Sequence, residues 1–142
     1  MLEKFSKYEQ SQYVNQEGEF VFEITNAELT QSKNGSDMVK FDVESDAGKA
    51  SLYIFLNQNA RWNYNKFIKA CVYPNRAPEM LDYYTYHTQL IGKKFVGVVE
   101  METYETADGD TKEIYRITNY SHCWGEIIWI VGHMYMMKIR IY

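Results

Sequence analysis

The chain has 142 residues, 46% hydrophobic and 24% charged, with a formal net charge of −4. That is one hydrophobic core's worth of sequence, and it argues against nucleic-acid binding driven by overall positive charge. Cys71 and Cys123 form no Cys-x-x-Cys pair and Met1–Tyr8 lacks a signal-peptide core, which argues against a disulfide scaffold, a zinc knuckle or export and leaves a soluble protein of a reducing cytosol.

From Gly18 the residues alternate, with Phe20, Phe22 and Ile24 on one face of a strand and Glu23 and Thr25 on the other. Ser32-Lys33-Asn34-Gly35-Ser36 follows, and its Asn-Gly pair supplies the positive φ angles of a tight hairpin. Met38 to Ser45 reads as the return strand, with Val39, Phe41 and Val43 inward and Lys40, Asp42 and Glu44 outward. After the Asp46-Ala47-Gly48 turn, a third strand from Lys49 to Leu56 sends Leu52, Ile54 and Leu56 to the core. Tyr53 and Phe55 then face out.

Asn59 is placed to cap a helix whose apolar residues Trp62, Phe67, Ile68, Cys71 and Val72 follow helical spacing, with Pro74 and Pro78 ending it. A second short helix using Met80, Leu81, Tyr84 and Leu90 is drawn over Glu79–Ile91, and Gly92 breaks it. Lys93–Tyr104 and Thr111–Tyr120 read as a hairpin around Thr106-Ala107-Asp108-Gly109-Asp110.

The order is strand, strand, strand, helix, strand, strand. It predicts a mainly β fold, a five-stranded OB barrel with its helix between strands 3 and 4. A sandwich needs about seven strands, and a parallel sheet needs alternating helices. The domain is expected over residues 18–121, with an N-terminal arm (1–17) and an apolar C-terminal extension (122–142).

Carboxylates crowd the first 48 residues, whereas residues 49–78 carry Lys49, Arg61, Lys66, Lys69 and Arg76 and no carboxylate. The same window holds Tyr53, Phe55, Trp62, Tyr64, Phe67 and Tyr73. Cations interleaved with aromatic rings suit single-stranded nucleic acid, whose phosphates need positive charge and whose bases gain about 1–3 kcal/mol each on an aromatic face. Trp62 and Phe67 serve a core equally well. Tyr53, Phe55, Trp62 and Tyr115 are the stacking candidates, with Lys33, Lys40, Lys49, Arg61, Lys66 and Arg116 for phosphates. A protein-interaction module would use the same rings as anchors.

The run Glu17-Gly18-Glu19-Phe20-Val21-Phe22-Glu23-Ile24, then Ala27-Glu28, Ser32-Lys33-Asn34-Gly35-Ser36-Asp37-Met38, Phe55-Leu56-Asn57 and Trp62, resembles the small single-stranded-DNA-binding proteins of bacteriophages. The resemblance covers residues 17–72. It implies an OB fold and non-catalytic, sequence-tolerant binding of single strands in phage replication or recombination, in the host bacterial cytoplasm. It also implies a homo-oligomer, a dimer or higher, working with phage or host replication and recombination proteins. Such proteins often end in an acidic tail, whereas the end here, Cys123 to Tyr142, is apolar but too interrupted by Glu126, His133, Lys138 and Arg140 to span a membrane. An extra strand, a subunit contact or an altered reading frame accounts for such an end.

No catalytic constellation is visible. His87, His122 and His133 lack metal-ligand spacing, His122 and Cys123 diverge as neighbours on a strand end, and no phosphate-cradling glycine loop occurs. Glu100 and Glu102 share a strand face, as solvated carboxylates ordinarily do. No catalytic residue, metal or cofactor is expected.

Overall fold

The computed structural model describes residues 13–123 together with the backbone of 125–131 and 135–141. Most of the expected N-terminal arm lies outside these residues, as do the side chains of the C-terminal extension beyond Cys123. The chain is mainly β: five antiparallel strands form one sheet in the order β3-β2-β1-β4-β5.

Strand β1 (Gly18–Gln31) is long enough to serve two neighbours. Its first half pairs with β4 (Lys94–Glu105), from Gly18↔Val99 to Glu23↔Lys94, and its second half pairs with β2 (Asp37–Ser45), from Glu23↔Glu44 to Gln31↔Asp37. An irregularity in register between Ile24 and Asn26 lies just past the changeover, where an extra residue bends a strand and increases its twist. Strand β3 (Gly48–Phe55) extends the sheet beyond β2, and β5 (Thr111–His122) extends it beyond β4. The expected alternation holds in β2 and β3 and through Ile24 of β1: Phe22, Ile24, Val39, Phe41, Val43, Leu52, Ile54 and Leu56 are buried and Phe20 partly so, while the irregularity in β1 shifts its next buried residue to Ala27.

Closure into a barrel was the expectation. The two edge strands, β3 and β5, approach to within 8 Å between Cα atoms, but no ladder joins them among the described residues. Part of the free edge of β3 is taken by the N-terminal segment, where Val14 N–H donates to the Lys49 carbonyl at 3.0 Å and Tyr13 bridges Lys49 in parallel.

Helix α1 (Arg61–Val72) covers the inner face of this sheet. Tyr64, Phe67, Ile68 and Cys71 recur at helical spacing and are buried. Phe67 sits at the centre, 4.9 Å from the rings of both Phe41 and Phe95 and 5.1 Å from Tyr120. It therefore joins β2, β4 and β5 through one side chain. The expected cap at Asn59 is not used. A 3-10 turn over Gln58–Ala60 precedes the helix, Ala60 N–H bonds to the Asn57 carbonyl, and no side chain caps the N-terminus. Pro74 ends α1 as expected, holding Tyr73 in an extended conformation (φ −52°, ψ 137°).

The second helix drawn over Glu79–Ile91 reduces to a 3-10 turn at Tyr86–Leu90. Leu90 is buried as expected, but Met80 is 90% exposed and Tyr84 is exposed. Tyr84 instead donates its hydroxyl hydrogen to Asp37 Oδ2 at 2.9 Å, tying this segment to the start of β2. The C-terminal extension forms a hairpin, β6 (Gly125–Val131) with β7 (Tyr135–Ile141), in a separate two-stranded sheet.

Candidate nucleic-acid interface

The pairing of β2 with β3 decides what lies on the outer face. Register places Met38 opposite Phe55, Lys40 opposite Tyr53, Asp42 opposite Ser51 and Glu44 opposite Lys49. These residues alternate with the buried set, so all eight point away from the helix. Across β1 the same rows continue through Thr30 beside Met38 and Glu28 beside Lys40. Tyr53 is 48% exposed and Phe55 40%. Two rings two residues apart on one strand, flanked by a methionine and a lysine, make a flat apolar platform beside a cation.

The other two stacking candidates lie elsewhere. Trp62, 69% exposed, stands on the solvent side of the first turn of α1 and takes no part in the core. Trp62 is therefore outside the core, whereas Phe67 belongs to it. Tyr115 is opposite Met101 and on the same side of β5 as buried Ile117. It packs partly buried against the core, and its side chain is on the inner side of the sheet, opposite to Tyr53 and Phe55.

The cations are mostly engaged. Lys40 Nζ is 3.8 Å from Asp42, Lys49 Nζ is 3.5 Å from Glu44, and Arg116 Nε is 3.1 Å from Glu102. Arg61 donates to the Leu56 carbonyl at 3.4 Å and lies 4.6 Å over the Tyr83 ring. Lys66 donates to Asn119 Oδ1 at 2.6 Å and lies 5.7 Å from the Tyr120 ring centre. Lys33 is exposed in the β1–β2 turn. The window that lacks carboxylates in sequence is therefore bordered by carboxylates in space, because β2 contributes Asp42 and Glu44. Such pairs at the surface contribute at most about 1 kcal/mol each and exchange readily for another anion.

Asp37 is held below the usual carboxylate range by hydrogen bonds from Gln31 and Tyr84. Burial pushes the Tyr120 hydroxyl up to about 12 and the Cys71 thiol well above its ordinary value, so Cys71 is an inert part of the core. Tyr120 also bonds through its hydroxyl to Asn63 on α1. Among the described residues no group of three or more His, Cys, Asp or Glu side chains could hold a metal, and no helix is long and apolar enough to cross a membrane.

A cleft of about 770 Å³ between α1 and the segment after it escaped the sequence reading. Lys69, Tyr73 and Arg76 line it. All three stood in the cationic, aromatic window, but nothing in their spacing showed that residues 74–81 fold back beside the helix. Compared with family models and with curated proteins, the sequence matches none.

Proposed function

We propose that this protein is a non-catalytic, sequence-tolerant binder of single-stranded DNA that uses the outer face of β2 and β3. The observation that carries this reading is the exposure of Tyr53 and Phe55 side by side on one face, opposite Lys40 and Met38. Bases of a single strand can lie on such rings, while lysines beside them exchange a carboxylate for a phosphate. A duplex, whose bases are already stacked, has no use for them.

The fold reading that goes with it is an OB-type barrel opened between β3 and β5. Support comes from the pairing order β3-β2-β1-β4-β5, with the helix between β3 and β4, and from the outer side of the second and third strands being the customary ligand face of that barrel. With the resemblance to phage single-stranded-DNA-binding proteins, this gives a role in phage replication or recombination in the host cytoplasm, as a homo-oligomer serving other replication proteins. A second reading, a protein-interaction module, is favoured by Glu28, Asp42 and Glu44 on the same face as the rings. Anisotropy titration of labelled oligo-thymidine against increasing salt separates the two. Single-strand binding requires an affinity that falls steeply with salt and exceeds that for duplex of equal length; a flat salt response or a preference for duplex overturns it.

A further inference from the structure

Of the five cations in residues 49–78, Lys49 is ion-paired, while Arg61 and Lys66 are hydrogen-bonded and lie over aromatic rings. The remaining two, Lys69 and Arg76, are exposed, have no ion pair among the described residues, and both line the cleft of about 770 Å³ beside α1. Ile68, Met80 and Leu81 give that cleft apolar walls, and Met80 is 90% exposed. The lining includes one carboxylate, Glu79. All of the lining residues come from α1 or the segment after it, so no other described part of the chain fills the cleft.

The opposite charge lies at the far end of the β4–β5 hairpin. Pairing of β1 with β4 stops at Gly18↔Val99, whereas β4 and β5 stay paired as far as Glu105↔Thr111. At about 3.4 Å per residue, this ribbon runs roughly 20 Å past the last pair made with β1. Every residue from Glu102 to Glu113 except Thr106 is exposed. Neither face of the ribbon is therefore covered, and a two-stranded hairpin by itself is marginally stable in water. Met101–Thr111 carries Glu102, Glu105, Asp108 and Asp110 and no cation. Glu102 is paired with Arg116 at 3.1 Å, and the other three have no ion pair among the described residues. Tyr104, 49% exposed, stands opposite Lys112 on the same ribbon.

We infer that the hairpin tip of one copy docks in the cleft of a second copy, with Asp108 and Asp110 against Lys69 and Arg76 and the Tyr104 ring against Met80 and Leu81. Each side supplies what the other lacks: carboxylates without ion pairs and a ring on a projecting ribbon, cations without ion pairs and apolar walls in a recess. A ribbon solvated on both faces gains a packed face by docking. The two patches differ, so the contact is heterologous; it closes as two reciprocal contacts in a pair or continues from copy to copy. The inference deepens the homo-oligomer part of the reading above and rests on that part alone, not on the platform binding DNA.

The test is sedimentation velocity of the full chain without nucleic acid, over a range of concentrations at low and moderate salt. The wild type should associate, and less so as salt rises. Lys69→Glu/Arg76→Glu and Asp108→Lys/Asp110→Lys should each weaken self-association about ten-fold or more, since each sets like charges against one another. Mixed in equal amounts, the two variants should associate again, because each tip then finds in the other variant a cleft of opposite charge. A merely misfolded variant cannot give that recovery. A mixture that stays monomeric overturns the inference. Association that both variants retain overturns it too, and leaves the homo-oligomer standing with its interface elsewhere. A wild type that is monomeric throughout removes the homo-oligomer reading together with the inference. The platform of Tyr53 and Phe55 is untouched by any of these results, because no strand is present.

Discussion

Met38 and Phe55 stand opposite each other on the outer face of β2 and β3, and one step along the same face Lys40 stands opposite Tyr53. Phe55 is 40% exposed and belongs to no buried cluster, so its ring contributes little to folding. Phe55→Ala should leave the urea midpoint within the small range of surface substitutions. Oligo-thymidine affinity should fall by about 5- to 150-fold, the equivalent of about 1–3 kcal/mol for one stacked base. Anisotropy titration beside urea melts checks both. A protein that unfolds instead would place Phe55 in the core and reverse the facing of β3.

Gly97 lies in β4 opposite Phe20, and it is needed for space. A Cβ there would sit 2.8 Å from two ring carbons of Phe22 and 3.2 Å from Ile117 Cγ2. Phe22 cannot retreat, since it is fully buried and stacked on Phe95 at 5.7 Å. Gly97→Ala should therefore destabilise the protein by about 1–3 kcal/mol, the usual cost of overpacking. Combining it with Phe22→Leu should cost less than the two changes summed, because both act on the same space. Chemical denaturation of the two single variants and the double variant measures the coupling; strict additivity would show that the clash relaxes elsewhere.

These two residues also mark what the sequence makes legible. Strict alternation in β3 placed Tyr53 and Phe55 outward because a one-residue slip would have buried Tyr53 and Phe55 and exposed Leu52 and Ile54. The order of strands followed from similar periodicity, whereas helical spacing alone left Trp62 and Phe67 equally suited to a core, and only the structure buries Phe67 and exposes Trp62. Gly97 was invisible, since its need arises from a ring 75 positions earlier. Tyr115 carried no facing in the sequence for want of a register on β5, and the structure sets it on the inner side of the sheet. The carboxylates facing Lys40 and Lys49 were within reach: the short Asp46-Ala47 turn between Ser45 and Gly48 sets Glu44 opposite Lys49, but charge summed along the chain conceals it. The cleft beside α1 depends on the path of an irregular segment, which no periodicity describes.

His87 is buried, its Nδ1 has no hydrogen-bond partner among the described residues, and burial lowers its pKa below 6.5. The unfolded chain takes up a proton near 6.5, whereas the folded protein resists until lower pH. Stability is therefore unaffected by this residue above about pH 6.5 and declines as pH falls from there to the folded pKa, by at most about 1.4 kcal/mol per pH unit. His87→Leu should remove that slope. Urea midpoints of the two proteins at pH 7.5 and 5.5, chosen on either side of about 6.5, provide the comparison. A wild-type midpoint that does not fall relative to the variant would mean that the imidazole reaches water.

Glu44 is the carboxylate whose removal tests the platform from the electrostatic side. It lies opposite Lys49, at 3.5 Å and with both side chains about half exposed (48% and 49%), so the pair itself adds little to stability. It does, however, compete with any phosphate for the Lys49 ammonium. Glu44→Gln keeps the shape and hydrogen-bonding reach while freeing the cation, and should raise oligo-thymidine affinity several-fold at low salt. If Lys49 then holds one more phosphate, the slope of log affinity against log salt should steepen by about 0.7, the increment for one contact to a single strand. A basic protein partner would respond in the opposite sense, because Glu44 would be part of what it recognises. The sign of the affinity change therefore distinguishes a surface that uses its lysines from one that uses its carboxylates.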